Sequence, residues 1–249
     1  PEEINRLVTD RLADLLLTPD TLSSENLRKE GVPEEKIKFV GNIMIDTLEA
    51  QREKASQLII EDIITQNTLT PDTLSLVTSH YSLITLHRPS NVDNPHIIKA
   101  IIEFLTKEVT KDMTVIWPIH PRTEKQLANF GLLSQVMDCK KLILLHPLGY
   151  HDMLRLNMDA AIMLTDSGGL QEECTVLGTP CLTLRWNTER PVTLREHGGA
   201  SVLVGNNIER IREEYRYTLT RQRKPLRPEL WDGNTAPRCV EAILTSGTT

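Results

Sequence analysis

Short apolar runs and amphipathic stretches alternate through most of this chain. Runs at 81–86, 113–118, 142–145, 160–164, 181–184 and 201–204 have the length and composition of buried strands. Stretches 96–107, 122–130, 151–157, 169–177 and 207–220 carry apolar residues at helical spacing. Such alternation predicts an α/β fold with a doubly wound parallel sheet. Upstream, Ile4, Leu7, Val8 and Leu12 fall on one face of a helix over 4–13. Strands at 15–18 and 37–40 flank a helix over 23–30 that Gly31 stops. Residues 43–64 read as one long amphipathic helix, and 65–79 as a polar loop with a helix start at Thr70-Pro71-Asp72. At the far end, 221–228 reads as a basic, proline-bearing linker, Trp231-Asp232-Gly233-Asn234 as a turn, and 236–244 as a last helix. The opening Pro1-Glu2-Glu3 has no initiating Met, no signal peptide and no Gly-rich unit before it. The expectation is a chain whose beginning has been removed.

The run 160–164 ends in Thr165-Asp166-Ser167-Gly168-Gly169, and a helix follows directly. A strand that breaks at small residues and restarts as a helix leaves free N–H groups at the helix N-terminus, where the helix dipole also favours an anion. Ser167 can add a hydroxyl, and two glycines admit a close backbone approach. Glu173, about one turn into the helix, could accept from two neighbouring ribose hydroxyls. The same residues also suit a plain strand–turn–helix joint with Ser167 or Asp166 as N-cap. The continuation favours the first reading. Gly178-Thr179-Pro180 leads into the next strand, which ends in a second polar cluster, Arg185-Trp186-Asn187-Thr188-Glu189-Arg190. Open α/β sheets bind ligands at that edge.

Other polar groups follow the same rule. His87-Arg88, His120-Pro121-Arg122 and His146-Pro147-Leu148-Gly149-Tyr150 each follow a predicted strand, so folding brings them to one rim. A rim of His87, Arg88, His120, Arg122, Ser167, Glu173 and Arg190 is cationic with one carboxylate. That suits a nucleoside diphosphate, with arginines and a helix N-terminus for phosphate and the carboxylate for ribose.

Composition narrows the partners. A net charge of −6 leaves no electrostatic footprint for nucleic acid. No apolar run reaches the ~18 residues of a membrane helix, so no membrane partner is expected. Cys139, Cys174, Cys181 and Cys239 lack metal-ligand spacing and a disulfide framework. They predict no metal site and a reducing, cytoplasmic setting.

The residues 165–173, then Leu177-Gly178-Thr179-Pro180 and Thr188-Glu189-Arg190-Pro191, resemble the signature of the non-hydrolysing UDP-N-acetylglucosamine 2-epimerases. Pro1-Glu2-Glu3-Ile4-Asn5-Arg6, Gly41-Asn42 with Ile45-Asp46, His87-Arg88 and Asp232-Gly233 are similar to that family in the same order, so the resemblance spans the chain. It implies two Rossmann-like domains in the GT-B arrangement. Residues 1–41 would be a remnant of the N-terminal domain, 42–225 the UDP-binding domain and 226–249 a helix crossing back. It implies interconversion of UDP-GlcNAc and UDP-ManNAc by elimination of UDP to 2-acetamidoglucal and re-addition. No cofactor is implied, and the partners are a UDP-sugar and a second copy in a homodimer. The product would feed cell-envelope polysaccharide synthesis.

By position, the resemblance gives Ser167, Gly168, Gly169 and Arg190 to the nucleotide, Glu173 to the ribose and His87 to the diphosphate. The segment 148–153, with Tyr150 and Met153, would meet uracil. Glu2 would be a catalytic carboxylate, although locally it also suits the positive end of a helix. The family's Gly-rich opening and two further carboxylates have no counterpart, so the expectation is a chain that binds UDP and shows little or no turnover alone. Pro89-Ser90-Asn91 and Leu148-Gly149 replace more polar residues, which leaves open another 2-acetamido sugar, such as a 2,3-diacetamido uronic acid. A GT-B glycosyltransferase or a non-catalytic nucleotide-sugar-binding module are the alternatives.

Overall fold

The computed structural model describes residues 2–70, 80–220 and 222–246, the side chain of Glu2 excepted. The expected helix start at Thr70-Pro71-Asp72 extends into residues outside that set. Two compact units emerge, one of residues 1–50 and 227–249, the other of 51–226.

In the first unit, α1 (Glu2–Leu12) precedes β1 (Leu16–Thr18), α2 (Thr21–Lys29) and β2 (Ile37–Phe39). β1 and β2 pair in parallel over a small core of Leu16, Leu27 and Ile37. Asp20 caps α2 by accepting from the Ser23 N–H at 2.7 Å. The apolar stripe foreseen on α1 is solvent-facing: Ile4, Leu7, Val8 and Leu12 are all exposed. The last helix, α13 (Thr235–Ser246), is capped by Asp46, whose carboxylate accepts from the Thr235 and Ala236 N–H groups. Trp231, in the turn before it, is buried and donates its indole N–H to the Pro19 carbonyl at 2.8 Å.

The expected single helix over 43–64 is two, α3 (Ile43–Ser56) and α4 (Ile60–Asn67). Ile59 between them is extended. The break is a tertiary effect. Arg155 donates from Nε to the Leu58 carbonyl at 2.8 Å, and the second helix buries Ile63 and Ile64.

The second unit is organised by a six-stranded, fully parallel sheet. Its strands are β3 (Tyr81–Thr85), β4 (Thr114–Pro118), β5 (Leu142–Leu145), β6 (Ile162–Thr165), β7 (Cys181–Thr183) and β8 (Ser201–Leu203), in the order β5-β4-β3-β6-β7-β8. All six match expected strands. The connecting helices are α5 (Pro89–Val92), α6 (Pro95–Phe104), α7 (Thr110–Asp112), α8 (Pro121–Asn129), α9 (Leu133–Met137), α10 (Tyr150–Asp159), α11 (Gly168–Leu177) and α12 (Ile208–Leu219). A π-turn at Leu105–Val109 joins α6 to α7 where one helix was expected. The short α5 and α9 lack the periodic apolar run that marks a helix in sequence.

Alternation along the strands feeds two cores, as a doubly wound sheet requires. Ile84, Val115, Trp117 and Leu164 pack with Ile98 and Ile101 of α6, Leu127 of α8 and Tyr215 of α12. Leu83, Ile116, Ile143 and Met163 pack with Ile64 of α4, Leu156 of α10 and Cys174 of α11. The edge of β5 is covered by the chain after α4: Leu69 donates its N–H to Leu144, and His146 donates to Asn67.

Candidate nucleotide site

β3 lies between β4 and β6, so the chain winds outward in opposite directions from the β3–β6 pair. In open parallel sheets the crevice beyond that switch point is where ligands bind. β3 leads into His87 and Arg88, and β6 leads into Asp166, Ser167 and Gly168.

Asp166 ties these ends together. It is fully buried, and its carboxylate accepts from the backbone N–H of His87 (3.0 Å to Oδ2), the N–H of Arg88 (2.8 Å) and Asn91 Nδ2 (3.0 Å). His87 Nδ1 lies 2.8 Å from Asp166 Oδ1. With Nδ1 held there, Nε2 is the ring nitrogen left for a ligand. The Asp166 carbonyl accepts from Arg88 Nε at 2.9 Å, and Asn91 also donates to the Leu184 carbonyl beyond β7. Burial alone would raise the Asp166 pKa, but the hydrogen bonds from His87, the Arg88 N–H and Asn91 outweigh it and hold the carboxyl below its ordinary value.

Ser167 occupies the N-cap position of α11 by backbone geometry, φ −85° and ψ 129°, without a side-chain capping bond. Ser167 is thus the cap in backbone position only, its hydroxyl making no capping bond, and Asp166 is committed to the donors of His87, Arg88 and Asn91. The turn is held by the Thr165 hydroxyl, which accepts the Ser167 N–H at 3.0 Å. The first N–H groups of α11 and its dipole face the switch-point end of the sheet.

Two arginines converge on that helix start. A Cβ at Gly168 would collide with Arg190 Nη1 and stand 3.5 Å from Arg185 Nη1. At Gly169 a Cβ would meet no atom within 4 Å among the described residues beyond its own helix and chain neighbours. Arg190 pairs through Nε with the buried Glu172 at 3.0 Å. Glu189 accepts from Arg185 Nη2 at 2.6 Å and from Arg190 Nη1 at 3.4 Å. The Arg185 hydrogen bond pulls the Glu189 carboxyl down to about 2.

Glu173, one turn into α11, is 7% exposed. Burial pushes its pKa up to about 7; the neighbouring Glu172 charge adds to this, and the nearby polar groups of Asn157 and Tyr150 partly oppose it. Tyr150, at the start of α10, is itself pushed up to about 12 by burial and by Glu173. Met153, one turn on, is half-buried and packs against the core below. The ring of His120 sits 5.5 Å from that of His87, and its Nδ1 accepts the Arg122 N–H as the cap of α8. The Arg122 side chain faces elsewhere: its guanidinium pairs with Asp93. Glu2 opens α1, and its side chain lies outside the described residues. Among the described residues no cluster of His, Cys, Asp or Glu could hold a metal ion.

Sequence reasoning passed over Asp166 as a hub, and also Asn91 and Arg185. The available signal was an acidic residue directly between a buried strand and a Gly-Gly turn.

The fold recurs in known proteins. A family model described as UDP-N-acetylglucosamine 2-epimerase matches residues 1–244. The UDP-N-acetylglucosamine 2-epimerase of Methanocaldococcus jannaschii is 38% identical over 253 residues, covering 99% of this chain and 65% of that protein. A crystal structure of the M. jannaschii enzyme in complex with UDP-GlcNAc and UDP superposes with a TM-score of 0.83, over 98% of this chain and 64% of that one. The UDP-2,3-diacetamido-2,3-dideoxy-D-glucuronate 2-epimerase of Pseudomonas aeruginosa is 34% identical, over 88% of this chain and 56% of that protein. The chain thus spans just under two thirds of the M. jannaschii relative and a little over half of the P. aeruginosa one. The parallel α/β class read from the strand–helix alternation is the class found, the solved structures it resembles are of the GT-B type that the family resemblance implied, and the chain belongs to the UDP-N-acetylglucosamine 2-epimerase family.

Proposed function

We propose that this switch-point site binds the UDP part of a UDP-2-acetamido sugar, and that the protein interconverts UDP-GlcNAc and UDP-ManNAc, acting as a homodimer. What supports the reading is the meeting of His87, Asp166, the start of α11 and Arg190 at the switch point of the sheet. In this reaction a carboxylate takes the proton from C2 of the sugar, the bond from C1 to the diphosphate oxygen breaks, and UDP departs from 2-acetamidoglucal. Re-protonation of C2 on the other face and return of UDP to C1 complete the epimerisation. The leaving diphosphate gains charge as the C1–O bond breaks, so prepositioned donors lower that barrier. In this proposal Ser167, Gly168, Gly169 and Arg190 hold the diphosphate and His87 Nε2 supports the departing oxygen. Glu173 takes the ribose hydroxyls, Tyr150 and Met153 border the uracil, and Glu2 is the catalytic carboxylate.

Two measurements test it. Calorimetric titration with UDP should give one site per chain. Incubation with UDP-GlcNAc in deuterated water should place deuterium at C2 as UDP-ManNAc forms. A folded protein that binds neither UDP nor UDP-GlcNAc would sink the reading. Preferential turnover of a 2,3-diacetamido uronate would change the sugar and leave the nucleotide half standing.

The two glycines should behave differently. Gly168→Ala drives a methyl into the Arg190 guanidinium and lowers UDP affinity about tenfold or more, ~1.4 kcal/mol. Gly169→Ala meets no packed neighbour within 4 Å among the described residues, so its melting temperature should hold while UDP affinity falls. Unchanged affinity in both variants would remove the start of α11 from the site.

A further inference from the structure

Arg185 is a buried cation whose hydrogen-bonding capacity is only partly used. Its backbone is locked: the N–H donates to the Thr183 carbonyl at 2.8 Å, and the carbonyl accepts from the Gly205 N–H at 3.0 Å. Its side chain is 4% exposed. Nη2 donates to Glu189, whereas Nη1 is buried and has no hydrogen-bond partner among the described residues. A buried N–H of a charged group left without an acceptor is costly, and native proteins keep few of them. This one points at the first turn of α11, 3.5 Å from where a Cβ of Gly168 would stand. The position beside it is occupied by Arg190.

We propose that Arg185 is a second anion-binding arginine of the α11 N-terminus, contacting the diphosphate beside Arg190. The proposal rests on the nucleotide reading given above. The local charges fit such a role. Glu189 accepts from both guanidinium groups, so it orients the pair as one fork while leaving Nη1 of Arg185 directed inward. A planar guanidinium suits this division of labour, one edge for the bracing carboxylate and another for a phosphate oxygen; an ammonium group offers no such fixed edges. The polar cluster at 185–190 thereby contributes two ligand groups, at its first and last positions.

A brace and an anion contact predict different outcomes at Glu189. UDP titrations of Arg185→Met, Arg185→Lys and Glu189→Gln separate them. An anion contact predicts about 30-fold weaker UDP binding in Arg185→Met, with partial recovery in Arg185→Lys. It also predicts that Glu189→Gln weakens UDP binding far less than Arg185→Met, because the amide oxygen can still accept from Arg185 Nη2 while Nη1 stays available to the anion. Uridine affinity, followed by saturation-transfer NMR, should stay unchanged in all three. Equal losses in Arg185→Met and Glu189→Gln, or an unchanged Arg185→Met, would overturn the assignment. Titration with inorganic pyrophosphate separates the two readings. Arg185-dependent pyrophosphate binding by a protein that ignores UDP would keep the anion contact and overturn the nucleotide. Absence of binding to both anions by the unmodified protein would overturn both.

Discussion

Asp166→Ala should destabilise the unit of residues 51–226 by about 3–5 kcal/mol, the range for removing one partner from a buried charged network. The reason is what the carboxylate leaves behind. The backbone N–H groups of His87 and Arg88, Asn91 Nδ2 and His87 Nδ1 all converge on it. Its side chain is fully buried, so water has no ready route to replace it. At roughly 2–4 °C per kcal/mol for a unit of this size, the melting temperature should fall by about 6–20 °C. Adding His87→Ala should rescue little, because the two backbone donors remain. The pH dependence has a definite sign. The folded pKa lies below its ordinary value, so Asp166 contributes stability above the unfolded pKa of about 3.9 and loses it as pH falls through the folded value. The Ala variant should lose that acid-side slope. A shift in melting temperature under about 2 °C would mean that these donors find other acceptors.

Glu173→Ala should cost UDP-GlcNAc binding about 3 kcal/mol, roughly 150-fold, the loss of two hydrogen bonds to a charged acceptor. Its raised pKa adds a second signature. Ribose hydroxyls donate to the carboxylate, so binding selects the charged form. Below about 7, where Glu173 is protonated, affinity should fall about tenfold per pH unit, and above that it should level off. UDP-GlcNAc is the suitable ligand because its diphosphate carries no ionisation in this range. The folding linkage runs the other way from that of Asp166. A carboxyl whose folded pKa exceeds its unfolded value of about 4.3 holds a proton in the folded state, so stability is greatest below that value and declines until pH passes about 7. Glu173→Gln should abolish both slopes. Affinity independent of pH in the parent protein would show that the ribose does not meet this carboxylate.

Much of this site could be read from residue order. The Ser167-Gly168-Gly169 joint, Glu173 one turn on and Arg190 after the next strand lie within one strand–helix–strand unit, where spacing alone relates them. The strand-end rule brought Tyr150 to the rim, but its place beside Glu173 was not legible in residue order, because the two sit on different helices and meet through burial. Arg122 shows the limit of a strand-end rule: it stands at the expected rim position, but Asp93 lies close enough to take its guanidinium. Residues 43–64 have one unbroken helical pattern, and the break at Ile59 forms because Arg155, far along the chain, supplies a donor to Leu58.

Local order therefore carried the six strands, their parallel α/β class, the anion-favouring helix start and the family signature. Each depends on side-chain periodicity or on backbone freedom within a few residues. The placement of β3 against β6 came only with folding, and with it the meeting of His87 with Asp166, 79 positions apart. So did the pKa values of Asp166 and Glu173, which burial pushes upward in both. Converging donors reverse the shift for Asp166 and only soften it for Glu173. Desolvation and through-space donors belong to the packed chain, and no window of sequence contains them.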